Sequence, residues 1–338
     1  MSREKFEKGR NFANKIWNAS RFILLNIREE NTSHDLCVVF QKEKLGLPER
    51  WILSNFYEML TQLEKALEGY RFNEAVNLIY DFFWRKFCDW YLEIAKLNIN
   101  DKNTQLVLFK VLEKSLRVLH PFMPFITEEV WQKLPGVTES ISISATPHIQ
   151  KEMIDKKTDH QMQIIMDIVA AARNIRSNVK IPPNEFISLQ IQAANKAKSE
   201  LITQNENIIK ALAQAKEITF HKKATKISPL MSSKVASAKP KAKAFWRSRE
   251  KGVSAVISKD LSINIPLEGL VDAQKEKQRI SSQIKELETL LKDKEKRLKN
   301  KVFLSKAPEE VVELEKERVA ELKERLIKLK EILRAFAA

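Results

Sequence analysis

Along the first 145 positions, apolar and aromatic residues recur at intervals of three and four, the spacing of one helix face, rather than at two. The pattern predicts five helices: Lys5 to Arg28, Glu49 to Leu67, Phe72 to Leu97, Thr104 to Leu119, and Pro124 to Leu134. The third is the clearest. Ala75, Ile79, Phe82, Phe83, Phe87, Trp90, Tyr91 and Ile94 form a broad apolar face, and Asn73 is placed to cap its start. Pro124 suits the first turn of the fifth helix, and Glu128 and Glu129 follow where the helix dipole favours negative charge. Residues 1–147 are therefore expected to form an antiparallel helical bundle.

After Pro147 the texture changes. A helix from about Glu152 to Asn178 ends before Pro182 and Pro183. Phe186 to Gln192 alternates Ile187, Leu189 and Ile191 with polar neighbours, Glu217 to His221 is β-prone, and Val253–Ile257 with Leu261–Ile265 reads as a hairpin. A helix from about Ala193 to Ala213 separates the first two strands, so residues 148–270 are expected to form a small α/β module. Between its strands lies Lys222 to Lys251, rich in Lys, Ser and Ala. It reads as a basic loop, either a solvated insertion or a phosphate-contacting segment with Phe245 and Trp246 available to stack on bases.

The last segment, residues 271–338, carries heptads. Ile280, Ile284, Leu287, Leu291, Lys294 and Leu298 step by fours and threes, as do Val312, Glu315, Val319, Leu322, Leu326, Leu329 and Leu333 beyond a break at Phe303–Pro308. Pro308 falls where a turn is needed, which favours an antiparallel coiled-coil hairpin whose arms extend about 40 Å. The fold class is thus mainly α: a helical bundle, a small α/β module and a coiled-coil hairpin.

Charge adds a partner. Lys and Arg total 59 against 44 Asp and Glu, a net +15, which favours an anionic ligand such as nucleic acid. The excess is +1 over residues 1–145, +10 over 146–269 and +4 over 270–338. Only six glycines occur, each alone, so no glycine-rich loop exists to wrap backbone amides around a nucleotide phosphate. Five scattered histidines and the absence of paired-cysteine spacing give no metal motif. Cys37 and Cys88, far apart on apolar segments, read as reduced core residues of a cytoplasmic protein, and no run reaches the roughly 18 apolar residues of a membrane helix.

Three segments carry a resemblance. Gly9-Arg10-Asn11-Phe12-Ala13-Asn14-Lys15-Ile16-Trp17-Asn18-Ala19, then Phe87-Cys88-Asp89-Trp90-Tyr91-Leu92-Glu93, then His120-Pro121-Phe122-Met123-Pro124-Phe125-Ile126-Thr127-Glu128-Glu129-Val130-Trp131 resemble the anticodon-binding helical domain of the valyl-tRNA synthetase family. Arg173-Asn174-Ile175-Arg176 with Ile181-Pro182-Pro183, Pro266 to Asp272, and Ala307 to Val312 look like the rest of that family's C-terminal region. The bundle motifs alone leave isoleucyl and leucyl enzymes in play; the terminal arm is similar to the valine enzyme in particular. A coiled-coil interaction scaffold without specific RNA recognition is the reading from another class.

The resemblance implies a tRNA partner, tRNA(Val) in particular, a bundle that reads the anticodon and an arm that braces the tRNA. Family members also carry a nucleotide-binding core with H-I-G-H and K-M-S-K-S signatures, and neither is in this sequence. Leu230-Met231-Ser232-Ser233-Lys234 is only superficially like the second, lacking its leading lysine. The chain is therefore expected to hold no cofactor and to be inactive alone, with ATP implied only for a catalytic core in a longer chain or a separate polypeptide. A monomer is expected.

Candidate RNA contacts follow from charge and placement. In the first helix Arg10, Asn14, Asn18 and Arg21 recur on one polar stripe opposite Phe12, Ile16, Ala19 and Ile23, offering donors and acceptors to splayed bases or simply facing water. Trp17, Trp84, Trp90 and Trp131 have the helical spacing of core residues. In the middle module the candidates are Arg173 and Arg176, which either hold RNA backbone or pair with Asp167 and solvent, and Lys241, Lys243, Arg247 and Arg249 of the basic loop. On the arm, Lys292, Lys296, Arg297, Lys299 and Lys301 crowd the end of the first helix, as a solvated face or a phosphate contact.

Overall fold

The apolar stripe of the first helix closes on an aromatic wall. In the computed structural model, which describes residues 3–28, 40–220, 245–249, 252–267, 273–299 and 309–335, α1 spans Arg3–Asn26 and buries Phe12, Ile16, Ala19 and Ile23. Its Phe12 ring lies 4.9 Å from Tyr80 and stacks at 6.1 Å on Trp84. α2 (Leu47–Glu68) starts with Pro48 in its first turn and is sunk into the bundle, with Ile52, Leu53, Phe56 and Tyr57 at 0 or 1% exposure. The next helical run is α3 (Phe72–Tyr80), a π-helical segment (Asp81–Tyr91) and α4 (Leu92–Ala95). α5 (Lys102–Leu119), capped by Asp101 through Thr104 N–H at 2.9 Å, and α6 (Pro124–Trp131) complete the helical set.

The π-helical segment departs from the regular α-helix that the three-and-four spacing predicts. The Leu92 N–H reaches back five residues to the Phe87 carbonyl. Phe82, Phe87 and Leu92 are themselves five apart and all buried, so the wider turn keeps them on one side of the rod.

Two compact units divide the chain, Met1–Ile164 and Ile165–Ala338. The division falls inside α7 (Lys156–Val179), whose first turn is capped by Asp155: its carboxylate accepts from Lys157 N–H at 2.9 Å and from the Thr158 hydroxyl at 3.0 Å. Within the first unit, residues after Pro147 are tied to α2, Tyr57 donating to Gln150 at 2.9 Å and Asn55 to Asp159 at 2.7 Å. Cys88 is buried there, and burial pushes its thiol up to about 12. Cys37 lies outside the described residues.

In the second unit, β1 (Ile187–Ala193), β2 (Ala215–Phe220), β3 (Phe245–Arg249), β4 (Gly252–Ser258) and β5 (Leu261–Pro266) form one sheet in the order β2-β1-β5-β4-β3. β1 and β2 are parallel and the other pairs antiparallel. The connection between β1 and β2 is two helices, α8 (Lys196–Gln204) and α9 (Glu206–Ala213), rather than the single helix expected. Asn205 makes the break: its amide donates to the Leu201 carbonyl at 2.8 Å, supplying an acceptor's missing partner at a helix end. β3 falls within the expected basic loop, where Phe245 and Trp246 suit a strand pairing Val256 and Ala255. The rest of that loop, residues 222–244 and 250–251, lies outside the described residues. At Gly252 an added Cβ would stand 2.8 Å from the Ile265 carbonyl oxygen, so this pairing needs glycine.

The arm consists of α10 (Ala273–Lys299) and α11 (Glu309–Ala335). Glu288 pairs with Lys330 at 2.6 Å and Glu295 with Lys323 at 2.7 Å; one number rises as the other falls, so the helices are antiparallel. Ile280, Ile284, Leu287, Val319 and Ile332 are buried, and Lys294 meets Glu315 across the seam at 2.7 Å. At the root, Arg279 donates to the Asn178 carbonyl at 3.3 Å.

Candidate nucleic-acid interface

α1 is held by one face, so the opposite face is set by its periodicity. Arg10, Asn14, Asn18 and Arg21 all stand exposed there, and none is tied to another described residue by a hydrogen bond or ion pair. The four present two guanidinium groups and two amides on one stripe. Beside it, Trp17 is half-buried under the Lys133 ammonium, 5.8 Å from the ring centroid, which fixes the stripe next to α6. On the far side Lys15 pairs with Asp89 at 2.8 Å and lies over Trp84 at 5.4 Å. Trp131 is buried and donates to the Glu139 carbonyl at 3.0 Å, while Trp84 and Trp90 are half-buried. These rings are packing residues rather than free platforms.

Several exposed rings, among them Tyr70 and Phe125, are not anticipated from the sequence. Phe125, the second residue of α6, is 90% exposed. The signal was present: Thr127, Val130, Trp131 and Leu134 define the buried face of that segment, and Phe125 lies about 200° from Thr127.

Elsewhere in the first unit, polar side chains pair within the fold. The Lys114 amine donates to the Tyr57 hydroxyl at 2.7 Å, and burial, partly offset by Glu113, pushes it down to about 8. Arg117 pairs with Glu113 at 2.9 Å, both nearly buried, and donates to the Ala145 carbonyl at 2.8 Å. At the start of α7, burial of Asp155 works against ionisation, but the two Thr158 hydrogen bonds and Lys42 outweigh it and hold the carboxyl at about 2.

In the second unit the two arginines of the Arg173-Asn174-Ile175-Arg176 motif part ways. Arg173 is exposed, its Nε donating to the Leu212 carbonyl at 2.9 Å. Arg176 is 7% exposed and donates to the carbonyls of Glu185 at 2.8 Å and Pro182 at 3.0 Å, with Gln214 at 3.4 Å. Its guanidinium ties the end of α7 to the strands and offers no surface. Lys241 and Lys243 lie outside the described residues, and Arg247 and Arg249 sit on β3. On α10, Lys292 and Lys296 are exposed, Arg297 and Lys299 share that helix, and Lys301 lies outside the described residues.

Among the described residues no group of three or more His, Cys, Asp and Glu is placed to hold a metal ion. No described helix is long and apolar enough to cross a membrane. Among the described residues, the α1 stripe presents cations and amides facing outward.

Comparison with known proteins agrees with this geometry. The family model for the anticodon-binding domain of tRNA ligase matches residues 49–192, and that for the valyl tRNA synthetase tRNA binding arm matches residues 272–337. The chain is 36% identical over 311 residues to a valine--tRNA ligase of Thermotoga maritima, covering 91% of this chain and 32% of that protein. It is 34% identical over 321 residues to that of Syntrophotalea carbinolica (93% and 33%), and 35% identical over 318 residues to that of Oceanobacillus iheyensis (92% and 33%). The chain thus spans about a third of the length of these relatives. Two matches in this order, with such relatives along nine-tenths of the sequence, place the chain in the valyl-tRNA synthetase family, of which it carries the anticodon-binding domain and the tRNA-binding arm.

Proposed function

We propose that this chain supplies anticodon recognition and tRNA docking to a valine--tRNA ligase acting on tRNA(Val). The observation that carries the reading is the joining, in one sequence, of a helical unit matching the anticodon-binding domain to a hairpin matching the valyl arm. The exposed stripe on α1 gives it chemistry. Arg10, Asn14, Asn18 and Arg21 would hydrogen-bond unstacked bases, as single-stranded RNA recognition requires. Arg173, Lys241, Lys243, Arg247 and Arg249 would contact the RNA backbone, and Arg176 would hold the elements that carry Arg173. Lys292, Lys296, Arg297, Lys299 and Lys301 of the arm would meet phosphates. Attachment of valine, with ATP, belongs to a catalytic part outside this sequence, supplied in the same longer chain or by another. The protein acts as a monomer in the cytoplasm.

Titrating a valine tRNA transcript and an anticodon-swapped transcript across a salt series tests this reading. Each phosphate contact adds roughly 0.7 to 0.9 to the slope of log affinity against log salt. Tighter binding of the valine transcript with a steep slope supports the reading. Equal, salt-insensitive binding of both contradicts it.

A further inference from the structure

α1 is seated along a narrow line, with Phe12, Ile16, Ala19 and Ile23 buried beside Ser20, and a helix seated on one line is free to roll about it unless its flanks are held. Its far face carries Arg10, Asn14, Asn18 and Arg21, so a roll of about 10° would carry that stripe roughly 2 Å sideways on a helix about 10 Å across. Residues 15 and 17 lie about 100° to either side of Ile16, the places from which a roll is resisted. Both are held. On one flank the Lys15 ammonium pairs with Asp89 at 2.8 Å and lies 5.4 Å from the centroid of Trp84, and farther along it Phe22 lies under Lys96 at 5.2 Å. On the other flank Trp17 lies under Lys133 at 5.8 Å.

The Lys15 contact depends on the π-helical segment Asp81–Tyr91, which carries both partners. Trp84 and Asp89 are five residues apart. In an α-helix, at 3.6 residues per turn, residues so spaced point about 140° apart and would face different neighbours. In a π-helix, bonded from i to i+5, they fall on one side, as the buried Phe82, Phe87 and Leu92 do. We propose that the π-helical segment is a positioning device: it aligns Trp84 with Asp89 on Lys15 and so fixes the roll of α1, which makes Lys15 and Asp89 positioning residues for the choice of bases by the stripe. The inference rests on the tRNA reading above and adds to it residues that act without touching the RNA.

Neither stability nor direct contact accounts for this arrangement. The side chains of Lys15 and Asp89 are 33% and 42% exposed, and an ion pair so well solvated adds little to folding. π-turns are rare within α-helices and occur frequently at functional sites. A carboxylate set against the ammonium would also serve direct RNA contact poorly, because it repels phosphate and offsets the lysine's charge. Positioning fits both facts, since the pair stands on the flank of α1 and acts on bases through the orientation of the helix. The effect falls on selection more than on affinity. A base-edge hydrogen bond has a usable length of about 2.7 to 3.2 Å, so a displacement of roughly 2 Å loses it. The attraction of the same cations for phosphates falls off over about 8 to 10 Å and survives.

The test titrates the whole chain by fluorescence anisotropy with a valine tRNA transcript and its anticodon-swapped counterpart, and reads the ratio of the two affinities beside the urea-unfolding midpoint. Lys15→Met and Asp89→Ala should each lower that ratio about tenfold, the effect of one lost base-edge contact, while the midpoint holds. Asp89→Ala removes a negative charge and should leave binding of the swapped transcript no weaker. Lys15→Arg, which keeps a cation over Trp84 and against Asp89, should keep the ratio. Parent-like ratios in both Lys15→Met and Asp89→Ala, with a parent chain that prefers the valine anticodon, overturn the positioning role and leave the tRNA reading standing. A parent chain that does not distinguish the transcripts overturns both. Loss of the ratio in only one of the two variants makes the affected residue a direct contact and overturns the role. So does loss in Lys15→Arg, which removes the held cation as the cause. Equal weakening of both transcripts with a lowered midpoint makes the pair merely structural and overturns the role as well.

Discussion

The helical unit and the arm are both made of amphipathic helices, yet they bury their side chains differently. In the first unit each helix has several neighbours, and Phe56, Tyr57, Phe83, Phe87, Tyr91 and Phe109 are at 0 or 1% exposure. In the arm each helix has one seam, and Leu290, Leu314 and Ile327 remain 47 to 57% exposed. The bundle is thus specified by large rings interlocking on many sides, which leaves a few fixed faces to carry recognition. The arm is specified by a line of small contacts and by charge. Cross-arm pairs such as Glu295 with Lys323 flank the seam, and Lys294 with Glu315 enters it. Such a rod suits contact with an extended anionic partner better than reading of single bases.

Core truncation separates the two regimes most strongly. Phe56→Ala should cost about 3 to 5 kcal/mol in urea denaturation followed by tryptophan fluorescence, because the site is enclosed and cannot collapse. Leu287→Ala in the arm should cost about 2 kcal/mol by circular dichroism, at the low end for such a change, since solvent already borders the seam. Equal costs would break the comparison.

What the sequence revealed of these regions follows the same division. Heptads are a one-dimensional pattern, so both arm helices could be read from spacing, including the polar Lys294 and Glu315 at seam positions. The bundle helices were equally legible, and so was the α1 stripe, because a helix with one buried face exposes the other. The π-helical segment was not. Apolar residues at 82, 83 and 87 fit a four-residue step as well as a five-residue one, and only the packing against Phe12 and Phe56 shows which holds. The burial of Arg176 was also hidden. Its partners are carbonyls, which every residue has, brought together from Pro182, Glu185 and Gln214 by the tertiary fold.

That arginine gives the next largest effect. Arg176→Met should cost about 2 to 3 kcal/mol, because three carbonyls lose their buried donor, and should loosen hydrogen-exchange protection at the α7 end and β1 together. Loss of RNA affinity without loss of stability would instead make Arg176 a contact residue.

The arm should respond in the opposite direction. Replacing both Lys294 and Glu315 by leucine should raise arm stability by about 1 to 2 kcal/mol in thermal melts, since a paired charge in a seam is weaker than apolar packing. The same double change should make the chain associate into dimers, visible in sedimentation, as the polar pair no longer fixes the intramolecular register. A destabilised, monomeric variant would show that the ion pair itself holds the arm.

The smallest effect is electrostatic and confined to the bundle. Burial pushes Lys114 down to about 8, with Glu113 working against it and Arg117 and Lys110 adding to it. Between pH 8 and about 10 the folded chain has released a proton that the unfolded chain still binds. Lys114 therefore adds a rise in stability with pH in that window, by on the order of 1 kcal/mol per unit, which the buried Cys88 thiol opposes above about pH 9, where the unfolded thiol ionises and the folded one does not. Lys114→Met should remove the rise. A Lys114→Met profile that runs parallel to that of the parent chain from pH 8 to 10 would contradict the buried amine.

The central claim is that this chain recognises tRNA through one base-reading face and one phosphate-contacting arm. The most direct measurement is the affinity of the whole chain for valine tRNA and its anticodon-swapped counterpart across a salt series, in parent, Asn14→Ala/Asn18→Ala and Lys292→Ala/Lys296→Ala forms. The account predicts that the α1 changes erase the preference for the valine anticodon while keeping the salt slope. The arm changes should lower the slope by between about 1 and 2 and weaken both tRNAs equally. Uniform weakening by the α1 changes, or an unaltered slope in the arm variant, would contradict it.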